Sequence, residues 1–213
     1  MKAVLVIGNN YKFNKIDFID SYVIGIDKGA LYCLKNDIKM DLAVGDFDSI
    51  SNDDFKAIKK ITKVIKLNPI KDDTDTEHAL NLVKDYDEIL ILGGIKGNRI
   101  EHFISMLLYL KTYPNLKIKD DNSLIYSMNN DFILKKENEY KYISFFSIDN
   151  EAIISLKGFK YDLDNYKLKE NDPLCISNEI ISDEAYVKLN GRLLIIMSKD
   201  DNIWKRIFLD FYL

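Results

Sequence analysis

Five aspartates fall into two tight groups. Asp46 and Asp48 flank Phe47 directly after Gly45, and Asp72, Asp73 and Asp75 lie within one short segment. Residues two apart on an extended turn point the same way, so Asp46 and Asp48 could present their carboxylates together. The other three would crowd the start of a helix. Grouped carboxylates suit Mg²⁺, which takes a few such ligands and leaves positions for water and phosphate oxygens. Acids also favour helix N-termini, where they meet the positive end of the macrodipole. That alternative applies best to Asp75 and Glu77. It explains Asp46 and Asp48 less well, because they precede the helix cap.

A second group is Gly93-Gly94-Ile95-Lys96-Gly97-Asn98-Arg99. Glycines let backbone N–H groups approach a phosphate, and the following helix N-terminus favours an anion. The segment has neither the Gly-Lys-Ser/Thr of a Walker A loop nor a dinucleotide fingerprint, and an ordinary tight turn is an equal reading. Arg99 sharpens the phosphate reading. It is one of three arginines, with Arg192 and Arg206, in a cationic pool dominated by lysine. Arginine suits bidentate contact with phosphate, with a surface salt bridge as the alternative. His102 follows on the same helical face, and His78 follows the acidic group. No Ser/His/Asp or Cys/His nucleophile pattern stands out. Carboxylates, a glycine loop and one arginine together suggest phosphoryl-type transfer from a nucleotide, in which catalysis is mostly positioning and charge neutralisation.

These residues need a scaffold, and the first half supplies one. Apolar runs at Ala3–Ile7, Tyr22–Ile26, Leu42–Val44, Val64–Leu67 and Ile89–Leu92 each end in a Gly- or Asp-rich turn before a helical segment. Ser51 with Asp54, and Thr74 with Glu77, fit capping boxes. Strands alternating with helices imply a mostly parallel sheet covered on both faces, with ligands at the carboxyl ends of its strands. The unusual residues fall at those ends. The second half has short alternating runs at Ser123–Met128, Phe132–Lys135, Tyr140–Ile148, Ala152–Leu156 and Ala185–Leu189, which read as an antiparallel sandwich or small barrel. Asn190-Gly191 between apolar runs predicts a hairpin. The expected division is residues 1–118 and 119–213. The apolar stretch 203–213 has helix-like spacing, for packing or a dimer contact.

Composition narrows the class. The chain has 213 residues, 47% apolar and 30% charged, so a packed core is available. Thirty basic residues face thirty-four acidic ones, giving a net charge of -4 that excludes a generally basic nucleic-acid binder. The first 118 residues balance at seventeen of each sign, so the excess lies in the remainder. No apolar run is long enough for a membrane span, and Cys33 and Cys175 suggest neither a zinc site nor a disulfide framework. A cytoplasmic protein is expected.

The motifs also resemble those of the thiamine pyrophosphokinase family. Asp27-Lys28-Gly29-Ala30, Gly45-Asp46-Phe47-Asp48-Ser49, Lys71-Asp72-Asp73-Thr74-Asp75 and Gly97-Asn98-Arg99-Ile100-Glu101-His102 occur in that family's order and spacing. Gly158-Phe159-Lys160-Tyr161-Asp162-Leu163 and Ser177-Asn178-Glu179 resemble its thiamine-binding segments, and Asn190–Leu194 its closing hairpin. The resemblance implies an α/β catalytic domain followed by a β-sandwich, in a homodimer with active sites at the subunit interface. It implies transfer of pyrophosphate from Mg²⁺-bound ATP to the thiamine hydroxyl, releasing AMP. By matched position, Asp46, Asp48, Asp73, Asp75 and Glu101 would hold the metal. Asp46, Asp48, Asp73 and Arg99 would be catalytic. Asp27, Lys28, Asp72, Gly97, Asn98, Arg99 and His102 would face the nucleotide, and Tyr161, Ser177 and Asn178 the thiamine. Three positions depart from the pattern: Glu101 stands for Asp, Lys28 for Gly and Tyr161 for Trp. A pyrophosphokinase for another heterocyclic alcohol such as a pterin, and a non-catalytic nucleotide- or thiamine-binding regulator, are the alternatives.

Overall fold

The computed structural model describes residues 1–8, 12–68, 74–97, 99–136 and 139–200. The Asn9-Asn10 turn and the apolar stretch 203–213 lie outside them. The chain divides into two compact units, Met1–Asp121 and Asn122–Leu213.

The first unit is a parallel sheet with helices. Its strands are β1 (Lys2–Ile7), β2 (Ser21–Ile26), β3 (Leu42–Gly45), β4 (Lys63–Lys66), β5 (Glu88–Gly93) and β6 (Leu116–Lys119), in the order β4-β3-β2-β1-β5-β6. All neighbouring pairs run parallel. Helices α1 (Lys28–Lys35), α2 (Asn52–Ile61), α3 (Asp75–Leu82) and α4 (Ile100–Thr112) connect them. Central strands buried on both faces need unbroken apolar runs, and Ala3, Val4, Leu5 and Val6 are all fully buried. The sequence builds outward from β1 to β4 and then returns to place β5 on the other side of β1. That reversal puts a ligand crevice at the carboxyl ends of β1 and β5. Gly29 permits α1 to pack on β1, since a Cβ there would collide with the Val6 carbonyl.

Local signals set the helix starts. Ser51 Oγ accepts from Asp54 N–H at 3.1 Å and donates to the Asp54 carboxylate at 2.8 Å. Thr74 Oγ1 accepts from Glu77 N–H at 3.0 Å. Strand β6 escapes sequence reading because it is short and carries two lysines. Those lysines are engaged: Lys117 pairs with Glu88 at 3.2 Å and Lys119 with Asp17 at 2.9 Å.

The second unit is a β-sandwich. Strands β7 (Ser123–Met128), β8 (Phe132–Lys135), β9 (Tyr142–Ser147), β10 (Glu151–Lys157), β11 (Leu163–Lys169), β12 (Glu184–Asn190) and β13 (Leu193–Ser198) are antiparallel. On one side β13 pairs with β7 and β9; on the other the order is β11-β10-β12-β8. Phe145, Ile154, Leu156, Phe159, Leu168, Leu193 and Ile195 belong to one buried cluster. Phe145 and Phe159 meet edge to face at 5.7 Å, a favoured aromatic geometry. Strand β11 reads poorly from sequence because it is a mostly exposed edge strand rich in polar residues.

The expected hairpin at Asn190-Gly191 is corrected. Strands β12 and β13 do not pair; they lie in different sheets. Gly191, at φ +119°, turns the chain at this corner. Arg192 then grips the Asp149 carboxylate through Nε at 3.1 Å and Nη2 at 2.7 Å, fixing β13 at its start.

Candidate active site

The carboxyl ends of β2 and β3 bring acids together. One carboxylate oxygen from each of Asp27, Asp46 and Asp75 lies within 4.8 Å of the others. Asp27 follows β2, Asp46 follows β3, and Asp75 opens α3. Gly45 makes the approach possible, because a Cβ at that position would strike the Asp27 carboxylate. Asp27 itself has φ 47° and ψ -116°, a region rare for a side-chain-bearing residue and costing about 1–3 kcal/mol. The acid is thus held against local backbone preference.

Like charges raise one another's pKa. Burial pushes the Asp27 carboxyl up to about 7, reinforced by its hydrogen bond to Asp75 and the charges of Asp75 and Asp46. The Phe47 N–H, donating to Asp27 Oδ1 at 3.2 Å, works in the opposite direction. The donor set is all hard oxygen, which fits Mg²⁺ chemistry.

Asp46 and Asp48 are not presented side by side as an extended turn would have them. Phe47 adopts φ 58°, and its buried ring packs on Phe55 with centroids 4.9 Å apart. Asp46 joins the group, while Asp48 is exposed and its N–H donates to Asp46 Oδ1 at 3.1 Å. Asp72, Asp73 and Asn98 lie outside the described residues. Asp75 is anchored through its neighbour: Thr74 Oγ1, already capping α3, lies 3.0 Å from the Tyr109 hydroxyl of α4.

The Gly93–Arg99 segment follows β5 at the topological reversal. Arg99 Nε donates to Glu101 Oε1 at 2.8 Å, and both side chains are exposed. This pairing holds the Glu101 carboxyl below its usual range. Glu101 therefore faces Arg99 and His102, whose Nε2 is 4.0 Å away, and is not among the grouped carboxylates. Lys28, Gly97 and His102 are exposed.

In the second unit, Asn178 is 3% exposed. Its side chain behaves as a piece of strand: Oδ1 accepts from Tyr161 N–H at 3.0 Å and Nδ2 donates to the Tyr161 carbonyl at 2.8 Å. Its backbone pairs both ways with Ile143. Asn178 thus positions Tyr161, a residue that is 60% exposed. Lys160 Nζ lies 5.6 Å from the centre of that ring and pairs with Glu179 at 2.8 Å. Ser177 sits beside this clamp at φ 55°, exposed, with its N–H donating to Ser144 Oγ at 2.9 Å.

Sequence reading did not place Asp27 with the grouped carboxylates, nor Asn178 as a clamp. An acid at a strand end marks Asp27, but only the pairing of β2 with β3 brings it to Asp46. No sequence signal marks the Asn178 clamp.

Comparison with known proteins identifies the family. Residues 17–119 match the family model of the thiamin pyrophosphokinase catalytic domain, and residues 131–194 that of the thiamin pyrophosphokinase vitamin B1 binding domain. The thiamine pyrophosphokinase of Bacillus subtilis (strain 168) is 31% identical, over 94% of this chain and all of the relative. The crystal structure of thiamine pyrophosphokinase from Bacillus subtilis superposes with a TM-score of 0.83 at 28% identity, covering 94% of this chain and 100% of that one. That of thiamin pyrophosphokinase from Geobacillus thermodenitrificans gives 0.85 at 25% identity, covering 95% and 99%. With both of its units matched, the chain belongs to the thiamine pyrophosphokinase family of enzymes.

Proposed function

We propose that the chain transfers the pyrophosphoryl group of Mg²⁺-bound ATP to the hydroxyl of thiamine, giving thiamine diphosphate and AMP. The observation that carries this reading is the Asp27, Asp46 and Asp75 group, within a chain that also matches a vitamin B1 binding domain. The thiamine oxygen forms a bond to the β-phosphorus, the bond from that phosphorus to the α-phosphate oxygen breaks, and AMP departs. The hydroxyl proton passes to a carboxylate among Asp46, Asp48 and Asp73.

Asp27, Asp46 and Asp75 would hold Mg²⁺, joined by Asp48, Asp72 and Asp73 from the same motifs. The bound ion supplies charge neutralisation of the phosphates. Arg99, released from Glu101, would add a cationic fork to those phosphates. Glu101 then has the role of holding Arg99 in the unliganded state. Lys28, Gly97, Asn98 and His102 border the nucleotide. Tyr161 offers a ring face to the cationic thiazolium, with Ser177 beside it and Asn178 setting its orientation.

A homodimer with active sites at its interface is part of the proposal. On α4, Ile100, Ile104 and Leu108 are 64%, 52% and 57% exposed. Their four-residue spacing forms one apolar stripe, suited to a second copy. A cytoplasmic location accords with Cys33 and Cys175, both buried free thiols. No helix among the described residues is long and apolar enough to cross a membrane. Incubation with ATP, Mg²⁺ and thiamine should yield AMP and thiamine diphosphate in equal amounts. Formation of ADP and thiamine monophosphate instead would overturn the reading.

A further inference from the structure

We propose that Lys96 is a phosphate-binding residue of this enzyme and that the buried Asp120 is the residue that positions it. The proposal rests on the nucleotide reading above and adds to it one lysine of the Gly93–Arg99 loop, given no role so far, and one buried acid from outside the motifs.

Asp120 directly follows β6 and lies among the carboxyl ends of the sheet. Its side chain is only 2% exposed. A carboxylate withdrawn from water this far is costly unless opposite charge or hydrogen bonds compensate it. Its cationic neighbour is Lys96, from the loop after the adjacent strand β5, with Nζ 3.9 Å from Asp120 Oδ2. That distance makes an ion pair without a hydrogen bond. Lys96 is half exposed, and among the described residues its ammonium donates no hydrogen bond. The charge is therefore held near one place by the field of a buried acid, while half of the side chain remains open to solvent. This is the state expected of a cation waiting for an anionic ligand.

The location strengthens the assignment. Strand β5 borders the topological reversal, where a phosphate would sit. The Asp27, Asp46 and Asp75 group lies at the ends of β2, β3 and the start of α3. Strand β2 is two strands from β5, about 10 Å at ordinary spacing, a gap that a polyphosphate chain can bridge. Arg99, the other cation of the loop, is committed to Glu101 at 2.8 Å, whereas Lys96 is bound by no such contact. The neighbouring Asp121 accepts from Lys12 N–H at 2.6 Å. The Asp120-Asp121 pair therefore ties the chain leading from β1 and the loop leaving β5 to one point. A lysine acts on phosphate as a point charge, so position rather than fork geometry decides its contribution.

The test is calorimetric binding of the Mg²⁺ complex of α,β-methylene-ATP, which cannot be cleaved at the reacting bond, beside binding of AMP, which lacks the β- and γ-phosphates. Lys96→Met should weaken the analogue on the order of tenfold and leave AMP within about twofold. Lys96→Arg should restore most of the loss. In turnover, Lys96→Met should raise KM for ATP and leave KM for thiamine unchanged. Asp120→Asn should weaken the analogue in the same direction, and adding it to Lys96→Met should cost nothing further. Equal binding of the analogue by Lys96→Met and the parent chain overturns the proposal, as does an equal loss for AMP. Lys96 is on the surface, so its variants report even if Asp120→Asn fails to fold. A parent chain that binds the analogue through Lys96 but releases no AMP with thiamine would refute the proposed reaction and leave this assignment standing.

Discussion

Asp27 concentrates the electrostatics of the site in one side chain. Its carboxyl has a pKa of about 7 in the native state against 3.8 ordinarily, so between those values the folded chain holds a proton that the unfolded chain has lost. The stability this proton confers is complete below about pH 3.8 and is lost as pH rises through about 7. Thermal melts in chelator should therefore rise from pH 7.5 to pH 5 more steeply for the parent chain than for Asp27→Asn. Identical slopes would remove Asp27 as the source. Saturating Mg²⁺ should flatten the parent's slope as well, since a metal competes with the proton. At the same scale, Asp46→Asn should lower kcat roughly 10²- to 10³-fold while raising stability in chelator, because it relieves repulsion. Asn178→Ala should act on the other substrate. Loss of its paired bonds to Tyr161 should raise KM for thiamine several-fold with little change in KM for ATP, measured by steady-state kinetics.

Among the elements, α3 owes the placement of Asp75 to its cap. Thr74 satisfies the Glu77 N–H and meets the Tyr109 hydroxyl of α4. Thr74→Ala should cost about 1 kcal/mol in urea unfolding and weaken Mg²⁺ binding; a cap with no influence on the metal would change the first quantity alone. The cap was legible in the sequence, because Thr and Glu three apart before an apolar run have a specific physical meaning. The central strands were legible for a similar reason: two-sided burial demands runs such as Ala3–Val6. Elements with divided surroundings were not. Strand β6 hides two engaged lysines, and β11 shows mostly polar residues to solvent. At Asn190-Gly191 the turn itself was legible, but its local chemistry does not say which sheet receives the next strand. The same limit applies to the site. Asp46 and Asp75 announce themselves by clustering in sequence, whereas Asp27 reaches them only because β2 pairs with β3 and Gly45 leaves space.

For the whole molecule, the apolar stripe of α4 would link assembly to activity in the proposed dimer. Ile100 follows Arg99 directly, so a partner seated on the stripe would adjoin the loop that carries the proposed phosphate contacts. Leu108→Glu places a charge in that stripe and should convert a dimer to monomers in sedimentation velocity, with loss of turnover but little loss of monomer folding. A parent chain that already sediments as a monomer would sink the dimer proposal. The crossing at Gly191 has a different consequence, in the order of synthesis. The six described strands of the first unit have all been made once Lys119 is complete, so its sheet can close while the ribosome is still working. The sandwich cannot do the same. Strands β7 and β9 both pair with β13, the last strand among the described residues, and must wait for it through some seventy residues of chain for β7. The nascent protein should therefore pass through a stage with a finished first unit and an open second unit, the latter's apolar inner faces in need of a chaperone until Ser198 has emerged.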